Sequence, residues 1–338
     1  MKPNPSLSLT GLSLAVTVLW ASLASTAAAT VEGNLQKTFT VSAGGKLVVD
    51  ADRGSIEVTT AKSPQVAIQV FREATAASEA KARELLAEHR VDFLQEGNTV
   101  TVRAKGRQEW SGLWNLFHSR FDVRFVIAVP ETFDVDLKTA GGSIRVADLT
   151  GAVKARTSGG SLKLGQIRGP VQGHTSGGSI HVAGCQGSVR VETSGGGIEI
   201  GEGNGDLAAS TSGGSIHLRR FQGDVRVHTS GGGITAEQVE GNLEATTSGG
   251  SISAVLARQP TGNCRLETSG GNITVKLPPT AALNVEARTS GGRVTTELPV
   301  ATTVVGEQPR TRLEGKLNGG GQDLVLHTSG GSIHLQKL

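Results

Sequence analysis

The chain has 338 residues, enough for one large or two ordinary domains with a substantial core. Glycine contributes 47 residues against 10 prolines, which favours regular turns. Aromatic residues make up 3% of the chain and tyrosine is absent, so sugar binding by ring stacking is disfavoured, and the interspersed charges, net +3, argue against a nucleic-acid partner.

The first 29 residues have the three parts of a secretory signal. Lys2 supplies the basic start, an uncharged stretch rich in Leu, Val and Ala follows, and Ala27, Ala28 and Ala29 form a small-residue cleavage site. We expect residues 1–29 to be a signal peptide that is removed after Ala29, which makes the protein periplasmic or secreted. The alternative is an uncleaved membrane anchor, since the apolar stretch is nearly long enough to span a bilayer. The absence of cysteine near the site argues against a lipoprotein.

Residues 30–138 are predicted to start the fold and to cap it. Strand-like alternation runs through residues 36–70, and residues 52–56 (D-R-G-S-I) look like a degenerate corner of the repeat described next. A helix is expected over residues 76–89, then a hairpin formed by residues 91–94 and 99–104, then strands over 120–129 and 132–138. We interpret residues 75–120 as an insertion that covers one end of a stack.

Residues 139–338 are organised by a short repeat, T-[SA]-G-G. It occurs ten times, beginning at Thr139, Thr157, Thr175, Thr193, Thr211, Thr229, Thr247, Thr268, Thr289 and Thr328. The first seven copies are evenly spaced, at the interval from Thr139 to Thr157, and the next two intervals are slightly longer. The last interval, from Thr289 to Thr328, spans two rungs. It suggests a rung that has lost its motif, with Gly319–Gly321, Leu324 and Leu326 in its place.

Within each unit, alternating apolar positions predict two short strands with one buried face, joined at glycine corners. One unit is then one rung of a single-chain parallel β-solenoid (β-helix), an all-β fold in which the motif threonine faces inward and only the stack is stable. The hexapeptide β-helix is disfavoured because it needs an aliphatic side chain at the twelfth residue of each unit, counted from the motif threonine, and that residue is polar here. The calcium β-roll is disfavoured because the turns lack the aspartates that would hold calcium. An ice-binding array is a weak alternative.

Three segments resemble a known family. These are G-G-K-L-V-V-D-A-D-R-G-S-I-E-V (residues 44–58), the T-S-G-G-S-I rungs, and L-N-G-G-G-Q-D-L-V-L-H-T-S-G-G-S-I-H-L (residues 317–335). They are similar to the bacterial "putative adhesin" family of β-strand-repeat proteins, a domain of unknown function in exported or membrane-tethered proteins. The resemblance covers nearly all of the mature chain and implies the fold. It brings no catalytic residues.

Most candidate sites have a structural interpretation. Six histidines fall at outward positions and are expected on a solvated face: His174, His181, His217, His228, His327 and His334. Cys185 and Cys264 are expected in the core, too far apart for a disulfide. The acidic group Glu199, Glu202 and Asp206 lacks the long loops that would wall a catalytic cleft.

The aromatic segment over residues 110–118 is the one feature for which we keep a functional hypothesis open. Trp110, Leu113, Trp114 and Phe117 stand beside basic residues and could contact a partner or a membrane interface, although completing the cap is the favoured role.

The sequence therefore predicts a non-catalytic extracytoplasmic scaffold or surface-interaction protein, with no catalytic, cofactor or metal residues. Its expected partner is an unidentified envelope protein or surface. One alternative is a β-helix carbohydrate-active enzyme, with two acidic residues and an arginine on one face. The other is an envelope polymer that associates end to end, because the last rung in the sequence, with Ile333 and His334, is expected to be uncapped.

Overall fold

The computed structural model describes residues 28–106, 119–302 and 310–338. The predicted signal peptide therefore lies almost entirely outside the described residues. Before the first T-A-G-G motif the elements are β1 (Ala29–Glu32), β2 (Leu35–Thr40), β3 (Gly45–Ala51), β4 (Ser55–Ala61), β5 (Gln65–Ala76), α1 (Glu79–Glu88), β6 (Arg90–Glu96), β7 (Thr99–Lys105), β8 (Arg120–Pro130) and β9 (Phe133–Lys138).

The regular rungs follow. Their strands are β10 (Ile144–Val146), β11 (Leu149–Thr150), β12 (Val153–Arg156), β13 (Leu162–Arg168), β14 (Val171–Thr175), β15 (Ile180–Gln186), β16 (Val189–Thr193), β17 (Ile198–Asn204), β18 (Leu207–Thr211), β19 (Ile216–Gln222), β20 (Val225–Thr229), β21 (Ile234–Glu240), β22 (Leu243–Thr247), β23 (Ile252–Leu256), β24 (Cys264–Thr268) and β25 (Ile273–Leu277). The remaining strands are β26 (Leu283–Thr289), β27 (Val294–Thr296), β28 (Val300–Thr302), β29 (Arg312–Leu317), β30 (Gln322–Thr328) and β31 (Ile333–Lys337).

These strands form two long sheets that face each other across one core. The first sheet runs β1-β5-β8-β4-β10-β13-β15-β17-β19-β21-β23-β25-β31-β27, and the second runs β28-β29-β26-β30-β24-β22-β20-β18-β16-β14-β12-β9-β3-β7-β6. Within the regular rungs each strand pairs in parallel with its copy in the next repeat, as Ile180 with Ile198 and Val189 with Leu207. Aliphatic side chains from both sheets merge into one buried cluster. The β-solenoid prediction is confirmed.

A ladder of buried threonines holds the motif corners together. All ten motif threonines are buried, at 0–7% exposure. The Thr211 hydroxyl is typical: it donates to the carbonyl oxygen of Gly196 in the preceding rung at 2.8 Å, and it accepts from the amide of Gly214 in its own corner at 3.4 Å. The motif serine is exposed, as Ser212 is. The inward orientation of the threonine is therefore confirmed, and the motif is explained as a structural corner.

The second glycine of the motif is required by close backbone approach. A Cβ atom on Gly214 would lie 2.2 Å from the carbonyl oxygen of Gly196, far inside van der Waals contact. A Cβ on Gly213, the first glycine, would lie 3.2 Å from the nearest carbonyl oxygen. Tight stacking of the corners therefore excludes any side chain at the second position and only crowds one at the first.

The beginning of the fold forms two rungs and a cap. The corner at residues 52–56 behaves as predicted, since Ile56 pairs with Ile144 and the carbonyl of Gly54 accepts the Thr139 hydroxyl at 2.8 Å. β7 and β8 lie outside this rung in the two sheets, and antiparallel β6 and β5 follow them. The helix begins at Glu79 rather than near residue 76, because β5 continues to Ala76 to pair with β1 and Ser78 caps the helix by accepting from the Lys81 amide.

The other end of the stack differs from the expectation. β30 lies between β24 and β26, and β31 lies between β25 and β27, so the last rung in the sequence is intercalated between the two rungs before it. Thr328 donates to Gly271, and Thr289 in turn donates to Gly331, so the threonine ladder continues through the inserted rung. The prediction that the last rung is uncapped is wrong.

The long interval between the last two motifs is not a degenerate rung. Leu324 and Leu326 belong to β30, the first strand of the final rung, and Gly319–Gly321 precede that strand. Between the motifs, β28 and β29 add antiparallel strands outside β26 in the second sheet. The interval is long because the chain has to reverse direction at the end of the stack. It forms β28 and β29 there before it returns to place β30 between β24 and β26.

Candidate functional site

The outward faces of the two sheets carry most of the ionisable side chains. On the first sheet, His181 Nδ1 lies 3.0 Å from a Glu199 carboxylate oxygen, and His217 Nε2 lies 3.1 Å from Glu237. Glu199 stands between the two histidines in register. Such half-exposed pairs contribute little to stability because water screens them. Among the described residues no group of three or more His, Cys, Asp or Glu side chains is arranged to hold a metal ion.

The acidic group singled out in the sequence is spread over one rung. Glu199 and Glu202 lie on β17, and Asp206 follows in the corner before β18. Glu202 is flanked in register by Gly184 and Arg220. All three carboxylates are exposed. Their surroundings are those of a solvated face.

Both cysteines are buried and unpaired, as expected. Cys185 is 2% exposed and Cys264 is 1% exposed. Burial raises the pKa of the Cys185 thiol to about 11, and it raises that of Cys264 as well. A thiol that stays protonated at neutral pH is a poor nucleophile, so both residues act as core side chains.

A buried polar cluster joins the cap to the first rungs. The Arg72 guanidinium donates to the carbonyl oxygens of Gly33 at 2.7 Å and His89 at 2.8 Å, which ties β5 to the segment after α1. His89 is 3% exposed, and its Nε2 lies 3.8 Å from Asp52 Oδ1. Burial lowers the pKa of His89 to about 4, with Arg72 and Arg53 adding to the shift and Asp52 opposing it. His89 is therefore neutral at physiological pH.

Trp110, Leu113, Trp114 and Phe117 lie outside the described residues, so their predicted contact with a partner or a membrane stays a prediction. Within the described residues no helix is both long and apolar enough to cross a membrane.

The outward face of the second sheet shows an arrangement that sequence reasoning missed. Lys154, Arg190, Arg226 and Arg265 occupy one column, with Gln172, Ala208 and Glu244 alternating between them, as the strand registers show. Cations therefore recur on every second strand. We call Lys154, Arg190, Arg226 and Arg265 the cation row.

The row has a gap at its centre. Ala208 and Ser210 on β18 are short, so a groove of about 250 Å³ opens above them, walled by Arg190 and Glu192 on one side and by Arg226 and His228 on the other. Arg226 also contacts Glu244 at 2.9 Å on its far side.

Two members of the cation row form no ion pair with any described residue. Among the described residues, no carboxylate lies within 4.0 Å of Lys154 or Arg190, whereas Arg265 pairs with Glu267 at 2.6 Å. The sequence hides the row because each member stands two repeats from the next, and a search for local charge runs passes over them. A search at twice the regular repeat length finds Lys154, Arg190 and Arg226, and Arg265 follows once the longer interval between Thr247 and Thr268 is allowed for.

Comparison with known proteins identifies the family. The model of the Toastrack DUF4097 family matches residues 45–336. The chain belongs to this family. The match of this Toastrack protein begins at β3 and includes the intercalated rung, and it agrees with the family resemblance inferred from the corner motifs.

The solved structures that match this chain are distant from it in sequence. A "putative adhesin" from Parabacteroides distasonis ATCC 8503 shares 12% identity, with 90% of this chain and 97% of that chain covered and a TM-score of 0.39. A "putative lipid binding protein" from the same organism shares 13%, covering 90% and 96%, with a TM-score of 0.35. A "putative cell adhesion protein" from Clostridium sporogenes ATCC 15579 shares 11%, covering 90% and 100%, with a TM-score of 0.20. No curated protein matches significantly.

Proposed function

We propose that this Toastrack protein is an exported, non-catalytic surface-interaction protein whose rigid solenoid presents flat polar faces to a partner in the cell envelope. The observation that carries the proposal is the regular repetition of outward positions across two long sheets. Every rung from β12 to β24 places its outward side chains in register with its neighbours. A surface of this kind suits recognition of an extended partner better than enclosure of a small substrate.

The buried polar and thiol side chains among the described residues support the proposal that the protein is non-catalytic. The motif threonines are committed to corner hydrogen bonds, and the cysteine thiols are held protonated. His89 is buried in the polar cluster between the cap and the first rungs, and it does not line an open groove. Export is supported by the signal-like pattern of residues 1–29.

Localisation is the first test. Native cells should be fractionated, treated intact with protease, and the mature protein sequenced from its amino terminus. We expect the protein in the envelope or medium, starting at Thr30. A cytoplasmic protein that starts at Met1 would overturn the proposal.

Catalysis is the second test. The purified chain should be incubated with a panel of neutral and acidic polysaccharides and assayed for new reducing ends. We expect no product above the level of a heat-denatured sample. Turnover that disappears on substitution of Glu199 or Glu202 would replace the proposal with the carbohydrate-active alternative.

A further inference from the structure

We infer that the cation row on the second sheet binds an extended acidic polysaccharide that lies along the solenoid axis, with about one carboxylate or sulfate per disaccharide. This inference deepens the proposed function and rests on it, because it names the partner class of the surface-interaction protein. The row joins Lys154, Arg190, Arg226 and Arg265 through consecutive strand registers.

The spacing of the row selects the charge density of the partner. Neighbouring strands lie roughly 4.8 Å apart, so members of the row on every second strand are about 9.6 Å apart along the axis. A nucleic-acid strand carries one charge per about 3.4 Å and would leave most of its phosphates unmatched. A glycan that alternates acidic and neutral sugars presents its charges at a spacing close to that of the row.

The groove at Ala208 supplies the central site. Arg190 and Arg226 face each other across it, and the Ser210 hydroxyl lies beside its floor. Guanidinium groups form paired hydrogen bonds with carboxylate or sulfate oxygens, and the short side chain of Ala208 leaves room for a sugar ring between them. Arg190 has no carboxylate within 4.0 Å among the described residues, so it is available to a ligand.

The geometry also disfavours an extended peptide, an anionic bilayer and a partner that docks through apolar contacts. An extended peptide cannot add to this face as a strand, because β16, β18 and β20 are interior strands whose backbone groups are already paired. An anionic bilayer presents its charge in two dimensions, whereas the cations of the row lie along one line, so the row matches a chain better than a plane. The exposed large hydrophobic side chains of the described residues are Leu94 and Leu338, and neither lies on the row.

The test compares ligands and matched variants of the full chain. Binding should be measured by biolayer interferometry at low and physiological salt with hyaluronan, which has one carboxylate per disaccharide, polygalacturonate, neutral dextran, phosphatidylglycerol vesicles and a thymidine oligonucleotide. The test variant is Lys154→Gln/Arg190→Gln. The control is Lys163→Gln/Arg219→Gln, which removes the same two residue types from the outward face of the first sheet.

We expect hyaluronan to bind in a salt-dependent manner and more tightly than polygalacturonate, and dextran not to bind. The test variant should weaken binding about tenfold, as two exposed charge contacts allow, while the control stays within twofold of wild type. Ala208→Glu, which places a carboxylate in the groove, should weaken binding at least as much. Thermal melting of each variant checks that the fold is retained.

Several outcomes would overturn the inference: no binding to either acidic polysaccharide, equal losses in the test and control variants, or tighter binding to vesicles or the oligonucleotide than to hyaluronan. The proposed function fails separately, through a cytoplasmic location or catalytic turnover. If the protein is found in the envelope but does not bind acidic glycans, the cation row is not a glycan site, and the proposed surface-interaction role is unaffected.

Discussion

The threonine ladder makes a quantitative prediction at Thr211. Replacement by valine keeps the side-chain shape but removes the hydroxyl, which donates to Gly196 at 2.8 Å and accepts from Gly214 at 3.4 Å. Thr211 is 2% exposed, so water cannot replace these bonds. A buried carbonyl that loses its donor costs about 1–3 kcal/mol, and we expect the stability of Thr211→Val to fall by about 2 kcal/mol. Thr211→Ser, which loses only a methyl group, should cost about 1 kcal/mol.

Urea unfolding followed by circular dichroism measures the free energy of unfolding of each variant. The values can be compared provided that the slope of the transition is the same in each variant. Because repeat arrays can open rung by rung, hydrogen exchange at the Gly214 amide gives a local reading, and it should accelerate in Thr211→Val. Ser212→Ala, at the exposed neighbouring position, is the control and should lie within about 0.5 kcal/mol of wild type. The reasoning is refuted if Thr211→Val is as stable as Thr211→Ser, since shape would then outweigh the hydroxyl.

Three further predictions follow from other parts of the core. Gly214→Ala should destabilise the protein far more than Gly213→Ala, in urea or thermal melts, because only the first places a Cβ 2.2 Å from a carbonyl oxygen; equal effects would contradict the close approach. The lowered pKa of His89, about 4 against 6.5 when unfolded, means that only the unfolded chain gains this proton between those values. Stability should therefore fall as the pH drops from 6.5 towards 4, by about 2 kcal/mol at pH 5, and His89→Leu should flatten this part of the curve; parallel curves would count against it. Since burial raises the pKa of Cys185 to about 11, iodoacetamide at pH 8 should label it only after denaturation, as mass spectrometry can show; rapid labelling of the native protein would contradict its burial.

The structure of a single rung could be predicted from the sequence because the contacts that determine it are local. The alternation of apolar residues, the inward threonine and the glycine corners each reflect contacts within one unit or with its nearest copy, and the fixed interval between motifs displays them directly. The degenerate corner at Gly54 was visible for the same reason, since it had to accept the Thr139 hydroxyl just as every other corner accepts its neighbour's.

The order of rungs in the stack was not predictable in this way. The corners at Thr268, Thr328 and Thr289 are nearly identical, so each can pair with any other, and the hydrogen bonds of Thr328 and Thr289 satisfy the ladder in an order different from that of the sequence. The connections decide the order, and the long interval between Thr289 and Thr328 has room to reverse through β29 and return. The interval is anomalous in the sequence, but its length is compatible with either a lost rung or a reversal of the chain.

The same separation of scales explains why the cation row was missed. A residue's outward direction is fixed by its position within the rung, whereas its neighbours on the surface are fixed by stacking, so Arg190 and Arg226 become second neighbours although two full repeats separate them in the sequence. The apolar positions of successive rungs must match because they share one core, but nothing in the fold requires the outward positions to match. Repulsion between like charges on neighbouring strands keeps cations off adjacent rungs, but it does not require a cation to return on every second rung. The recurrence from Lys154 to Arg265 is therefore the reason to seek its cause in a bound partner.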